Sequence, residues 1–325
     1  MAVIKPFKSI RPRKGLEDKI AALPYDVYNR SEAKQAVKDN PLSFLNIDRP
    51  ETQYDDDFDM YSDESYQTAA RLLDGMLERN EYIRDDKAYY YIYELTMNGR
   101  AQTGIVAVAS VDDYINETIK KHENTRADKE LDRIRHVDTL SAQTGPIFLA
   151  YKSNEAINSI VDKVKTTEPL YDFVSDDLIS HRVWIISDSD DISCIQDAFS
   201  TINSIYIADG HHRCASAVKV SLKRRQEKPD YTGDEEFNYF LSVLFPDNQL
   251  MIMDYNRVIK DLNGKTEAEI IDELKKVGTL TTLNSEDKHP VKKGDVSVYI
   301  GSTWYTLSFN DELMADDPVE GLDVS

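Results

Sequence analysis

Apolar residues recur at spacings of three and four between Met60 and Asn80, at Tyr66, Ala69, Ala70, Leu72, Leu73, Met76 and Leu77, and predict an amphipathic helix with one face in the core. Two strand-length blocks follow, KAYYYIYEL at Lys87–Leu95 and TGIVAVAS at Thr103–Ser110. Asn98-Gly99 between them predicts a tight hairpin, because both residues accept the positive φ that such a turn requires. Tyr89, Tyr90, Tyr91 and Tyr93 read as strand residues with one face buried rather than as a base-stacking surface, since aromatics are good strand formers. Further along, PIFLAY (146–151) and HRVWIIS (181–187) read as strands, and 154–165 and 192–202 as helices. FNYFLSVLF (237–245) and LMIMD (250–254) predict a second hairpin around Pro246-Asp247-Asn248, in a sheet covered on both faces. A helix at 266–277 and strands at 296–300 and 304–309 complete the C-terminal part, and a short helix capped by Ser31 runs to Lys38 near the N-terminus.

The most informative stretch is IYIADGHHRCASA, Ile205 to Ala217. Strand-like residues 205–208 run into Asp209-Gly210, after which an Ala-rich helical pattern starts with His211, His212 and Arg213 in its first turn. The first turn of a helix offers unpaired N–H groups and the positive end of the peptide dipoles, so it favours an anion where these basic side chains also gather. Gly210 permits the sharp turn, and Asp209 is suited to capping the helix, gripping a metal or orienting a histidine. The small residues Ala215, Ala217, Val218 and Val220 allow the helix to pack close to a sheet.

A chain of 325 residues is long enough for a substantial core and for about two domains. Lys and Arg number 39 against 59 Asp and Glu, a net charge of −20 that opposes attraction to nucleic acid phosphates. Any anionic ligand must therefore be held by a local basic cluster. The two cysteines, Cys194 and Cys214, indicate neither a zinc site nor a disulfide framework, and no stretch approaches the ~20 apolar residues of a membrane span. A cytoplasmic location without membrane attachment is the expectation. The run Asp55, Asp56, Asp57 and Asp59 reads as a solvated loop, and His181 as a structural histidine.

A second basic stretch, IKKHENTRADKELDRIRHVDTL, spans Ile119 to Leu140. Between Lys120 and His136 it holds six basic residues against four acidic ones, with Leu131, Ile134 and Val137 as a thin apolar stripe. It reads equally well as a solvated helix stitched by ion pairs and as part of a site.

Together, IKKHENTR, the following DR-x-x-H helix, PIFLAY and the DGHHR turn resemble the ParB and sulfiredoxin-like superfamily. Almost the whole chain resembles the domain of unknown function 1015 family, through PYDV (24–27), KHENT (121–125), KELDR (129–133), ADGHHR (208–213) and NRVIKDL (256–262). Members of that family usually continue beyond a segment like DPVEGLDVS, so the chain looks shortened at its C-terminus. The characterised proteins with similar motifs are free serine kinases. The resemblance implies that Glu123 accepts the proton of an attacking hydroxyl, that Asp209 and His211 act beside it, and that Gly210, His212 and Arg213 hold phosphates. His122, Arg126 and Arg133 are further candidates for phosphate contacts. Sulfiredoxins carry a reactive cysteine where this chain has His211, and Cys214 reads as a packed helix residue, so sulfiredoxin chemistry is not expected.

The expected architecture is α+β: a ParB/sulfiredoxin-like core at 111–260 with a mixed sheet and a strand–turn–helix phosphate site. It is elaborated by a family-specific N-terminal region at 1–110 and a small C-terminal segment at 261–325. The expected activity is transfer of a phosphoryl group from ATP or ADP, with Mg²⁺, to a small hydroxyl metabolite such as free L-serine. The competing expectation is a non-catalytic nucleotide-binding regulator, which needs the anion site but not Glu123. The partners are a nucleotide and a small molecule, not nucleic acid; the metal ligands and the oligomeric state stay open.

Overall fold

Asn98 (φ 51°) and Gly99 (φ 78°) both take left-handed backbone and join β4 (Tyr90–Met97) to β5 (Arg100–Ser110), as the Asn-Gly pair predicts. In this computed structural model the residues described are 1–313 apart from Asn124, Arg126, Tyr255 and Lys293, with backbone only at 127–129. The chain forms two compact units, Met1–Met251 and Ile252–Ser325.

Before the hairpin the first unit contains β1 (Ile4–Lys5), β2 (Ile10–Pro12), α1 (Glu17–Ile20), α2 (Arg30–Val37), α3 (Leu45–Asp48), α4 (Asp63–Glu78) and β3 (Tyr82–Arg84). After it come α5 (Val111–Ile115), β6 (Ile119–Lys120), α6 (Ala127–Leu140), β7 (Ile147–Tyr151), α7 (Glu155–Lys165), β8 (Tyr171–Val174), β9 (Ser180–Ile186), α8 (Ser189–Ser200), β10 (Ile205–Asp209), α9 (His211–Glu227) and β11 (Tyr239–Pro246). The fold is α+β. A mixed sheet runs in the order β6-β10-β7-β11-β5-β4-β9-β8, with β1 added antiparallel to β5. β10 pairs parallel with β6 and antiparallel with β7, and β7 pairs parallel with β11. Tyr90, Ile92, Ile105, Leu149, Ile207 and Phe240 of the sheet are buried together with Ile157 of α7, Phe199 of α8 and Cys214 of α9. Gly104 lets β5 and β11 approach closely, since a Cβ there would lie 2.8 Å from the Leu244 carbonyl oxygen of β11.

The boundary expected between residues 110 and 111 falls at the end of β5, which pairs with β1, β4 and β11, so it does not separate two compact units. The second expected boundary, at 260, lies nine residues beyond the observed division after Met251. The second predicted hairpin is not formed. Both sides of β11 are occupied, by β5 and β7, so residues 250–254 find no free edge there and form no strand. Ile252 stands fully exposed. Helix α2 starts two residues earlier than predicted, because Asn29 rather than Ser31 is the cap, in a reciprocal capping box with Glu32.

The second unit comprises α10 (Glu267–Val277), capped by a Thr266–Glu269 box, and the antiparallel strands β12 (Gly278–Thr282), β13 (Asp295–Ile300) and β14 (Thr303–Phe309), in the order β12-β14-β13. Among the described residues no helix is long and apolar enough to cross a membrane.

Candidate functional site

The turn between β10 and α9 is built around one left-handed glycine. Gly210 (φ +92°) is the N-cap of α9 and makes no side-chain cap. A Cβ at this position would sit 3.2 Å from Nε of Arg213, so a larger residue would be strained in its backbone and crowded by the arginine. Asp209 does not cap the helix. Its Oδ2 accepts a hydrogen bond from Arg213 Nη2 at 2.6 Å, while Arg213 Nη1 donates to the Pro146 carbonyl at 2.6 Å. The guanidinium is thus held across the mouth of the turn, beside the first N–H groups of a seventeen-residue helix.

Parallel pairing of β6 with β10 brings the chain after Lys120 alongside this turn. The His122 backbone N–H donates to Nε2 of His211 at 3.4 Å, and the two imidazoles meet edge to face at 4.5 Å. A backbone N–H can only donate, so Nε2 is the acceptor and the neutral ring carries its hydrogen on Nδ1. That Nδ1 faces Oε2 of Glu123 at 3.6 Å. His211 is buried, whereas the Glu123 side chain is 60% exposed. Burial, reinforced by His122, holds the His211 pKa below its ordinary value against the opposing pull of Glu123 and Asp209. The ring thus lies between the His122 backbone and the Glu123 carboxylate.

Glu123, Asp209, Gly210, His211, His212 and Arg213 open onto one cavity of about 620 Å³, inside the range of about 300–1,000 Å³ usual for small-molecule sites. Arg133, from α6, also lines it; its Nε and Nη2 contact Asp132 at 2.9 and 2.8 Å, and its guanidinium lies 4.1 Å from the centre of the Tyr25 ring. His122 is not a lining residue and acts on the site through His211. Arg126 lies outside the described residues.

Sequence reasoning missed the opposite wall, contributed by residues 25–66. Buried Arg49 pairs with buried Glu51 (Nε–Oε1 2.6 Å), and its Nη1 donates to the carbonyls of Tyr25 (2.9 Å) and Tyr28 (2.7 Å). Tyr66 donates to Asp132 at 2.8 Å, and burial together with that carboxylate pushes its phenol pKa up. Arg135 donates to the Tyr61 carbonyl at 2.6 Å, pairs with Asp63 and lies over the Tyr66 ring. The one sequence signal for this wall was PYDV at 24–27, which supplies Tyr25 and Asp26.

Away from the cavity, His181 is packed against Phe173 and Tyr93, with Nδ1 and Nε2 bonded to the hydroxyls of Tyr93 (2.7 Å) and Ser175 (2.9 Å). Cys214 is buried in α9, and burial raises its thiol pKa, which leaves it unreactive. Among the described residues no group of three or more His, Cys, Asp or Glu side chains is arranged to hold a metal ion. Magnesium suits such a wall only if it arrives with phosphate oxygens, keeping waters and one or two carboxylates as its remaining ligands. The arrangement as a whole can hold an anion at the α9 N-terminus while a solvent-accessible carboxylate stands beside it.

One family model, "Protein of unknown function (DUF1015)", matches residues 4–325. No curated protein and no solved structure matches the chain.

Proposed function

The chain belongs to the DUF1015 family, and from its site we propose that it is a nucleotide-dependent phosphotransferase acting on a small hydroxyl-bearing metabolite, with free L-serine as the first acceptor to test. The observation that carries the reading is that Glu123 and the DGHHR helix N-terminus share one cavity and are joined through His211. Phosphoryl transfer asks mainly for positioning and charge neutralisation, plus a carboxylate to orient the attacking hydroxyl.

In this reading the residues have separate tasks. Glu123 accepts the acceptor hydroxyl's proton, and the hydrogen on His211 Nδ1 keeps the carboxylate turned towards the cavity. The N–H groups of the first turn of α9, with His212, Arg213 and Arg133, bind the phosphates of ATP or ADP. Magnesium bound to those phosphates would neutralise their charge. Asp209 is a positioning residue, because its contact is with the Arg213 guanidinium. The strand–turn–helix with its His-Glu element is the part that resembles a ParB/sulfiredoxin-like core, and we assign residues 119–213 to that resemblance. The net charge of −20 and a cavity of small-molecule size favour a small-molecule acceptor over nucleic acid.

The test is phosphorus NMR of the purified protein with magnesium, ATP or ADP, and a pool of hydroxyl metabolites that includes L-serine. A new phosphomonoester signal that vanishes in Glu123→Gln is the expected result. Nucleotide binding that Arg213→Ala abolishes, without any turnover, would replace the enzyme with a nucleotide-binding regulator.

A further inference from the structure

Two residues that line the same cavity each carry a buried polar atom with no hydrogen-bond partner among the described residues: Oγ of Ser65 and Nδ1 of His136. Both residues are 1% exposed. Buried polar groups are almost always satisfied, because leaving one unpaired costs its full desolvation, so two on one wall call for an explanation. Neither belongs to the Glu123 and DGHHR cluster.

The chemistry of the pair is well defined. His136 Nε2 lies 3.1 Å from the Ile47 carbonyl, which can only accept, so Nε2 carries the ring hydrogen and Nδ1 presents a lone pair. Burial, and after it neighbouring Arg133, holds the His136 pKa below its ordinary value, against Asp48 and Asp132. Asp48 lines the cavity too, and its Oδ1 accepts from the Thr144 hydroxyl at 2.6 Å. Along this cavity the carboxylates of Asp26, Asp48, Glu51, Glu123, Asp132 and Asp209 outnumber the guanidinium groups of Arg49, Arg133, Arg135 and Arg213 by six to four. A wall with spare acceptors and excess negative charge is matched by a ligand group that brings both donors and positive charge.

We propose that Ser65, His136 and Asp48 form a subsite for a primary ammonium group of a small molecule. An ammonium offers three donors, one for each acceptor, and its charge offsets the carboxylate excess. A hydroxyl in its place would supply one donor and no charge. The subsite stands on the unpaired atoms and the charge balance, independently of whether phosphoryl transfer occurs.

The experiment titrates the unliganded protein, without nucleotide, with two matched pairs of probes, L-serine against L-glycerate and ethanolamine against ethylene glycol. Binding is read by ¹⁵N NMR of histidine-labelled protein, with the His136 signal identified by its loss in His136→Gln. The expected result is that the amine of at least one pair shifts the His136 Nδ1 resonance and binds at least tenfold more tightly than its hydroxyl partner. Ser65→Ala and Asp48→Asn are expected to weaken that binding at least tenfold. Ser65→Ala should melt no lower than the parent protein, because the hydroxyl it removes has no partner among the described residues. Equal binding of amine and alcohol, or no shift at His136 with either amine, would overturn the subsite. So would a lower melting temperature of Ser65→Ala with unchanged amine binding, which would mark a structural water at this place. Phosphotransfer with a silent His136 would overturn the subsite alone, whereas amine binding without phosphotransfer would leave it standing and remove the kinase.

Discussion

Nδ1 of His211 lies 3.6 Å from Oε2 of Glu123, while the His122 backbone N–H fixes the opposite side of the imidazole. The sequence places the histidine at the anion site, but the geometry turns it towards the carboxylate. Catalysis and phosphate binding should therefore separate on mutation. Glu123→Gln keeps the shape and is expected to lower turnover by about 10²–10⁴-fold, the usual worth of a positioned acid or base, with nucleotide affinity within a few-fold. Arg213→Ala should instead weaken nucleotide binding, by roughly 10–100-fold if it loses a hydrogen bond to a charged group worth about 1.5–3 kcal/mol. Calorimetric titration beside a turnover assay distinguishes the two, and equal loss of binding in both variants would count against the assigned roles.

Gly210 permits the turn through its backbone rather than through any contact of its own. Gly210→Ala puts an L residue at φ +92° and a methyl group 3.2 Å from Arg213 Nε. The left-handed conformation should cost about 1–2 kcal/mol, read as a lower urea midpoint, and the displaced guanidinium should carry a loss of nucleotide affinity with it. An unchanged midpoint would mean that the turn has another way to relax.

The Arg49–Glu51 pair braces the wall that faces α9, through the Tyr25 and Tyr28 carbonyls. Arg49→Met leaves a buried carboxylate without its partner and should destabilise by about 3–5 kcal/mol. Replacing both residues with methionine should recover much of that loss, since the stranded charge is gone. Chemical denaturation of the two single variants and the double variant measures the coupling.

Acid should destabilise the first unit before its carboxylates titrate. His136, His181 and His211 are all held below the ordinary histidine pKa, burial being the largest cause in each. As the pH falls through about 6.5 the unfolded chain takes up protons that these native histidines refuse, so ν_U exceeds ν_N and stability rises with pH across that window. The contribution is complete above the unfolded value and is lost on acidification towards the folded values. His289 in the second unit is shifted upward by Asp287 and Asp254 and acts in the opposite sense, so the comparison should use His181→Gln against wild type. Urea midpoints between pH 5 and 7.5 should show a shallower slope in the variant.

Much of this architecture can be read locally, because short-range patterns specify short-range geometry. Asn98-Gly99 announces its hairpin, Gly210 its turn, and Tyr66 to Leu77 the buried face of α4. β8 escaped notice because four residues, Tyr171–Val174, are too few to establish an alternation. LMIMD misled because apolar composition cannot say whether a sheet edge is free, and β11 had none to offer. The site divides in the same way. Its α9 side is a contiguous motif, whereas Ser65 and Tyr66 reach the cavity through the packing of α4 on α6, and Arg49 and Glu51 through the packing of residues 45–53 on α4, which no spacing in the sequence encodes. His136 was visible as the end of DR-x-x-H, but its unpaired nitrogen is a property of the folded wall.

The parallel pairing of β6 with β10 also bears on the order in which the molecule acquires its chemistry. His122 and His211 are separated by 89 positions in the chain, and α6, β7, α7, β8, β9 and α8 must be accommodated between the two strands. Closing so long a loop costs entropy that only the surrounding sheet can repay, and contacts of such high sequence separation form slowly. A partly folded chain can thus possess both the carboxylate and the Gly210 turn without bringing them together. The His122 contact that sets the tautomer of His211 exists only once β6 has paired with β10, which makes its imidazole a reporter of that pairing.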